Sequence, residues 1–245
     1  MNISIITISY NSENCIAATI ESVLNQTLPP AEYWIIDGNS KDRTVEIAES
    51  FREALKQKGV DYHVVSEPDG GIYDAMNKGI RLAGGDIIGL LNSGDTYEPE
   101  ALSTVAETFE KEQCELMYAN IRMHKTDNST FTKRARLRRF ETSRDWNHPT
   151  TFVRADIYKG NPFRNLGIHD DYGFFLQMKR QKRHIVIVDK VLANFWMGGA
   201  SNQKDFKAAK KRIMDRYRYC YRINGFSRWY MLECVAIEAA KMMLG

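Results

Sequence analysis

Through the first 120 positions, short apolar runs alternate with stretches whose apolar residues recur every three or four positions. Residues 3–8 read Ile-Ser-Ile-Ile-Thr-Ile, a β-rich run, and Ile16, Ile20, Val23 and Leu24 then share one helical face. Residues 33–36 predict a second strand, closed by Asp37-Gly38-Asn39-Ser40, a turn that also supplies helix caps. A helix carrying Ala48, Phe51 and Leu55 follows, then a strand over 61–65. A helix carrying Ile72, Met76, Ile80 and Ala83 leads to a buried strand over 87–91, a helix over 100–112 and a strand over 116–119. This alternation predicts an α/β domain with a mainly parallel sheet covered on both faces. Such sheets bind ligands at the carboxyl ends of their strands.

Beyond residue 120 the rhythm changes. Residues 133–139 are a basic run, residues 163–169 are turn-rich, and a helix over 171–180 precedes a strand over 185–188. Residues 204–228 hold nine Lys or Arg against two Asp, interleaved with Tyr217, Tyr219 and Tyr221. Residues 229–245 carry only Glu233, Glu238 and Lys241 as charges, which leaves a wide apolar face. The expected organisation is a domain over 1–203 followed by a basic, amphipathic helical extension over 204–245.

Composition narrows the class. With 43% hydrophobic and 27% charged residues, a disordered chain is excluded. The longest apolar run, 87–91, is far short of the roughly 20 residues a membrane-spanning helix requires. The first basic residue is Lys41, so the amino terminus lacks the cationic start of a secretory leader, and a cytoplasmic location is expected. Cys15, Cys114, Cys220 and Cys234 form no CxxC pair, so reduced thiols are expected rather than zinc ligands. The formal net charge of +3 hides an asymmetry: residues 1–130 carry 10 basic and 21 acidic side chains, residues 131–245 carry 24 and 10. The basic half points to an anionic partner, and nucleic acid, a lipid surface and a diphosphate all qualify.

Polar groups gather where the predicted strands end: Ser9-Tyr10-Asn11, then Asp37, then Glu67-Pro68-Asp69, then Asn92-Ser93-Gly94-Asp95. Each alone reads as a cap or a turn. Together they put three carboxylate-bearing segments at one sheet edge, which favours a shared site. No GxGxxG follows the first strand and no GxxxxGK[ST] occurs, so dinucleotide and P-loop sites are not indicated.

These segments, with Trp34-Ile35-Ile36-Asp37-Gly38-Asn39-Ser40-Lys41-Asp42, Gly70-Gly71-Ile72-Tyr73-Asp74-Ala75-Met76-Asn77, His148-Pro149-Thr150-Thr151, His169-Asp170-Asp171-Tyr172 and Gly198-Gly199-Ala200-Ser201, resemble glycosyltransferase family 2. Within it they are most similar to the colanic-acid type that builds bacterial surface polysaccharides. The resemblance covers about residues 2–202 and implies a GT-A fold, with the nucleotide-sugar half over about 1–120 and the acceptor half over about 121–203. It implies that Thr7, Tyr10, Asn11, Asp37, Asp69, Asn77 and Ser93 bind the donor nucleotide, with Asp37 accepting from the base. Asp95 and His148 are implied at a Mn or Mg ion on the diphosphate, and Gly198, Gly199 and Ser201 in a lid over donor and acceptor. Ser93 stands at the first position of the family's DxD element, which leaves Asp95 as its one direct carboxylate. Asn120 stands where relatives often carry Asp.

The chemistry implied is transfer of a sugar from a UDP- or GDP-sugar to a saccharide hydroxyl, with the acceptor expected on a polyprenyl diphosphate at the inner membrane face. Negative charge grows on the leaving diphosphate, and a cation stabilises it. A hydroxyl is a poor nucleophile until a carboxylate removes its proton, and Asp171, with Asp170 beside it, supplies one. Read from the residues alone, that pair is equally a dipole-favoured helix start, and His148 reads more readily as a satisfied core or surface histidine than as a ligand. Two rivals remain. A sugar-phosphate nucleotidyltransferase would carry a glycine-rich, basic loop where this chain has Ser9-Tyr10-Asn11-Ser12. A nucleic-acid-binding module would leave the acidic half unexplained, so no nucleic acid partner is expected.

Overall fold

The computed structural model describes residues 1–140, 142–197 and 206–244, the side chains of 206–208 and 241–244 excepted. The chain divides into two units, Met1–Pro162 with His184–Met197, and Phe163–Arg183 with Gly198–Gly245. The turn-rich segment after Pro162 groups with the tail in the second unit.

The first unit contains β1 (Ile3–Ser9), α1 (Ile16–Leu24), β2 (Glu32–Asp37), α2 (Thr44–Ser50), α3 (Arg52–Gln57), β3 (Asp61–Ser66), α4 (Ile72–Leu82) and β4 (Ile87–Leu90). β5 (Thr96–Tyr97), α5 (Ala101–Glu112), β6 (Leu116–His124), β7 (Thr130–Lys133), a 3-10 turn (His148–Thr150), β8 (Phe152–Arg154), α6 (Ala155–Gly160) and β9 (Ile185–Trp196) complete it. The nine strands make one sheet in the order β3-β2-β1-β4-β8-β6-β9-β5, with β7 bonded to β6 beside this path.

β1 lies at the centre of the parallel half and is buried along its whole length. Its hydroxyls need internal partners there, and each finds one: Ser4 donates to Glu32 at 3.0 Å, Thr7 meets the Tyr33 hydroxyl at 3.0 Å, and Ser9 donates to Asp37 at 3.0 Å. On one face of the sheet Ile3, Ile5, Tyr33 and Ile35 pack with Ile16, Ile20 and Val23 of α1, Leu55 of α3, and Leu102, Val105 and Phe109 of α5. On the other, α4 approaches so closely at Gly79 that a Cβ there would overlap Ile6. Only glycine permits that approach.

The sheet is mainly parallel, through the β1–β2, β1–β4, β2–β3 and β6–β9 pairs, with short antiparallel pairs added. β3, β2, β1 and β4 are parallel, but β8 runs antiparallel between β4 and β6. Three residues are too few to show a period, so β8 leaves no pattern in the sequence. β9 extends well past residue 188 because Asp189 and Lys190 bulge out and pairing with β6 resumes at Val191. The helix expected through Ala48, Phe51 and Leu55 breaks at Phe51 into α2 and α3.

The second unit holds α7 (Asp170–Arg180), α8 (Phe206–Asp215), a π-helical segment (Arg216–Arg222) and α9 (Tyr230–Leu244). The π segment pins the start of α7: Cys220 Sγ donates to the His169 carbonyl at 3.2 Å, and Asn224 Nδ2 donates to the Gly173 carbonyl at 2.9 Å. Arg212 pairs with Glu238 of α9 at 2.7 Å, both buried, and Arg216 donates to His169 Nε2 at 3.3 Å.

Candidate active site

The strand order reverses at β1. The chain steps outward through β2 and β3, then α4 returns it to β4 on the opposite side of β1. The loops after β1 and β4 therefore face each other across a topological switch point, where α/β sheets open a ligand crevice. They touch: Ser12 Oγ and Ser93 Oγ lie 2.9 Å apart.

Strand register builds the next part. Ser9, Asp37 and Ser66 lie side by side at the ends of β1, β2 and β3. Asp37 is fully buried, and Oδ1 accepts from Ser9 at 3.0 Å and from Ser40 Oγ at 2.5 Å. Oδ2 accepts from the Ser40 N–H at 2.8 Å and from Ser66 Oγ at 2.7 Å. A carboxylate offers about four acceptor directions, and all are occupied. The expectation that Asp37 accepts from a nucleobase meets a carboxylate already filled. Three serines that the motif reading passed over, Ser9, Ser40 and Ser66, do the filling.

Beside this knot is a cleft. Tyr10 is exposed at the end of β1, and Asp69 stands half-buried after β3 with Oδ1 accepting from the Gly71 N–H at 2.8 Å. Gly38 lies between them: a Cβ there would sit 2.8 Å from Asp69 Oδ2 and 3.4 Å from the Tyr10 ring. A side chain at this position would fill the gap between an aromatic face and a carboxylate. Asn11 shapes the loop, with positive φ, its N–H donating to Ser40 Oγ at 2.8 Å and its Oδ1 accepting from the Lys41 N–H at 2.9 Å.

The end of β4 is different. Asp95 is 5% exposed and accepts no hydrogen bond to its side chain among the described residues, and burial pushes its carboxyl up to about 8. Asn92 Oδ1 and the Tyr97 hydroxyl, on the same loop and in β5, are also buried without a partner among the described residues. The described residues contain no group of three ligating side chains that could by itself hold a metal ion. The bare carboxylate fits a divalent cation whose remaining ligands come from a bound diphosphate: the positive charge would compensate the desolvation that now disfavours the anion.

The other expected residues separate. Thr7 is completely buried and engaged with Tyr33, so its side chain is not at this surface. Ser93 is at the crevice, Asn77 is half-buried in α4, and His148 opens the 3-10 turn with its ring edge-on to Trp146 at 5.8 Å. Asn120 is a brace, donating to Asp189 and accepting from the Ala135 N–H, each at 2.8 Å. Gly198, Gly199 and Ser201 lie outside the described residues.

In the second unit, Asp170 and Asp171 open α7 with unlike surroundings. Asp170 is buried, accepts from the Leu166 N–H at 2.8 Å, and is raised above its usual range by burial first and by Asp171 second. Asp171 is half-buried and accepts from the Tyr172 N–H at 2.8 Å.

The crevice, the sheet order and the acidic strand ends define a GT-A domain, and comparison with known proteins agrees. The profile of glycosyl transferase family 2 matches residues 4–189, and the chain belongs to that family. A PGL/p-HBAD biosynthesis glycosyltransferase of Mycobacterium bovis is 33% identical over 126 residues, 51% of this chain and 48% of that protein. The uncharacterized glycosyltransferase EpsJ of Bacillus subtilis is 29% identical over 129 residues, 53% of this chain and 36% of that protein. The matched stretch thus spans about half or less of these relatives. Among solved structures, S. aureus TarS 1–349 in complex with UDP-GlcNAc superposes with TM-score 0.62 at 19% identity, covering 100% of this chain and 73% of that one. The mannosyltransferase PcManGT of Pyrobaculum calidifontis, in complex with GDP-Man and Mn2+, gives TM-score 0.65 at 13% identity, covering 100% and 70%.

Proposed function

We propose that this chain is a cation-assisted, inverting glycosyltransferase that moves a sugar from a UDP- or GDP-sugar to a hydroxyl of a saccharide acceptor. The observation that carries this reading is Asp95, a buried carboxylate without a partner among the described residues at the switch point of a family 2 domain. The nucleotide enters the cleft of Tyr10, Gly38 and Asp69, with Asn11, Asn77 and Ser93 along its course. Asp37 holds three strand ends in place beneath it. Asp95 would hold a Mn or Mg ion, with His148 as the second residue on the diphosphate side. When bound, that ion offsets the negative charge gathering on the leaving diphosphate.

The acceptor oxygen bonds to the anomeric carbon as the bond from that carbon to the diphosphate oxygen breaks. The electron pair leaves with the nucleoside diphosphate, and the hydroxyl proton passes to Asp171. Asp170 orders the helix start, and Gly198, Gly199 and Ser201 form a lid. Donors on the related structures, UDP-GlcNAc and GDP-Man with Mn2+, support both nucleotide classes.

The acceptor is read as a polyprenyl-diphosphate-linked saccharide, in surface polysaccharide synthesis at the inner membrane face. No described helix is long and apolar enough to cross a membrane. α9 buries Tyr230, Cys234 and Ile237 on one side and leaves Leu232 and Val235 exposed on another, next to Trp229 and Arg228. An apolar strip with basic neighbours supports peripheral binding to anionic lipid.

Thermal shift across a panel of UDP- and GDP-sugars, with and without manganese, tests the assignment. One sugar nucleotide is expected to stabilise the protein, and only with manganese present. No stabilisation by any of them, or release of pyrophosphate in place of a nucleoside diphosphate, would overturn it.

A further inference from the structure

The basic run before the 3-10 turn holds none of the residues assigned above to the donor site, and its surroundings are unusual. Residues 133–139 hold five cations and no acid, in a unit whose first 130 residues carry 21 acidic against 10 basic side chains. Two of the five have internal work. Lys133 donates to the Trp146 carbonyl at 2.7 Å, and Arg138 pairs with Asp145 at 3.4 Å. Arg134, Arg136 and Arg139 are exposed and make no side-chain hydrogen bond or ion pair among the described residues. Between and beside them three apolar side chains also face solvent: Phe131 at 44% exposure, Leu137 at 44% and Phe140 at 53%.

The backbone that presents them is held. The Ala135 N–H donates to Asn120 Oδ1 at 2.8 Å, the Arg136 N–H to the Asp145 carbonyl at 2.9 Å, and the Tyr118 hydroxyl to the Arg136 carbonyl at 2.6 Å. The strip is thus anchored at Ala135 and Arg136, and it carries three available guanidinium groups interleaved with exposed apolar groups.

We propose that residues 131–140 are a docking strip for an anionic lipid bilayer, separate from the C-terminal helix. The arginines match lipid phosphates, and Leu137, Phe131 and Phe140 enter the headgroup–acyl boundary, which a nucleic acid backbone does not offer. The acid-rich remainder of the unit is repelled by the same surface, so the strip also sets the orientation of the domain on the membrane.

Co-sedimentation of the full chain with vesicles of phosphatidylcholine alone, or mixed with phosphatidylglycerol, tests this. The Arg134→Gln/Arg136→Gln/Arg139→Gln variant is expected to lose about 100-fold in partitioning onto the anionic vesicles, roughly fivefold for each arginine. Leu137→Ser/Phe140→Ser is expected to weaken binding about tenfold while leaving its salt dependence unchanged. All five positions are exposed, so unfolding does not confound the result, and equal melting temperatures verify it. Wild-type partitioning by the triple variant, or equal binding of the wild type to neutral vesicles, overturns the proposal. So does complete loss of binding in Trp229→Ser/Leu232→Ser, which assigns the contact to the tail alone. Tighter binding of an oligonucleotide than of anionic vesicles, lost in the triple variant, makes the strip a nucleic-acid surface and also overturns it.

Discussion

Asp37 and Asp95 end neighbouring parts of the same sheet edge, and both are buried, yet their environments are opposite. Asp37 accepts four hydrogen bonds, three from serine hydroxyls and one from a backbone N–H. Asp95 accepts none to its side chain among the described residues, and desolvation pushes it up to about 8. A carboxylate satisfied by its own protein is part of the frame. One largely buried and left bare is costly as an anion until something positive arrives. Asp170 and Asp171 differ in burial instead: both accept a backbone N–H, from Leu166 and Tyr172, but Asp170 is buried and Asp171 half-buried. In each pair the chemistry of the side chain is identical and the surroundings assign the role.

The largest effect tests the second pair. Asp171→Asn is expected to lower turnover by about 10²–10⁴ while donor binding survives, and Asp170→Asn to cost far less. Steady-state kinetics with calorimetric donor titration reads both. An inactive Asp170→Asn beside an active Asp171→Asn reverses the assignment. Next is Asp95→Asn, expected to cost roughly 10²–10³ in kcat/KM and to abolish the manganese dependence of nucleoside-diphosphate binding in calorimetry. Unchanged affinity would equate Asp95 with Asp37 and end the comparison.

Asp37→Ala removes the acceptor shared by the Ser9, Ser40 and Ser66 hydroxyls, of which Ser9 is buried. It is expected to cost about 1–3 kcal/mol in urea unfolding, in excess of any selective rise in donor KM. A variant with wild-type stability and a raised KM would make Asp37 a base reader after all.

The smallest effect is a pH slope. Folding raises the Asp95 carboxyl from 3.8 to about 8, so the folded state holds a proton that the unfolded state has released. Without metal, the wild type therefore loses stability as pH rises from about 4 to about 8. Asp95→Asn should melt several degrees higher than wild type near pH 8 and match it near pH 4. Manganese with a nucleoside diphosphate should reverse the order at pH 8, which differential scanning fluorimetry records. Parallel Tm profiles across that range would contradict the buried-carboxylate reading.

Much of the frame was legible because it is local. Periods of two and near four located β1 to β4 and their helices, and turn residues marked the strand ends where the polar groups gather. The three-residue β8 and the continuation of β9 past the bulge at Asp189 and Lys190 left no such trace, since neither is long or periodic enough. The same limit divides the site. Residue types and spacing by themselves determined that carboxylates meet at one edge of an α/β sheet, and the motif resemblance named the family. Which of those carboxylates is filled and which is bare was decided only by tertiary structure. The donors to Asp37 include Ser9 and Ser66, 28 and 29 residues away and aligned by strand register, while no such donor reaches Asp95 among the described residues. Hydrogen-bond occupancy and desolvation depend on what the fold brings within about 3 Å of an atom, and that proximity is not written in the order of the chain.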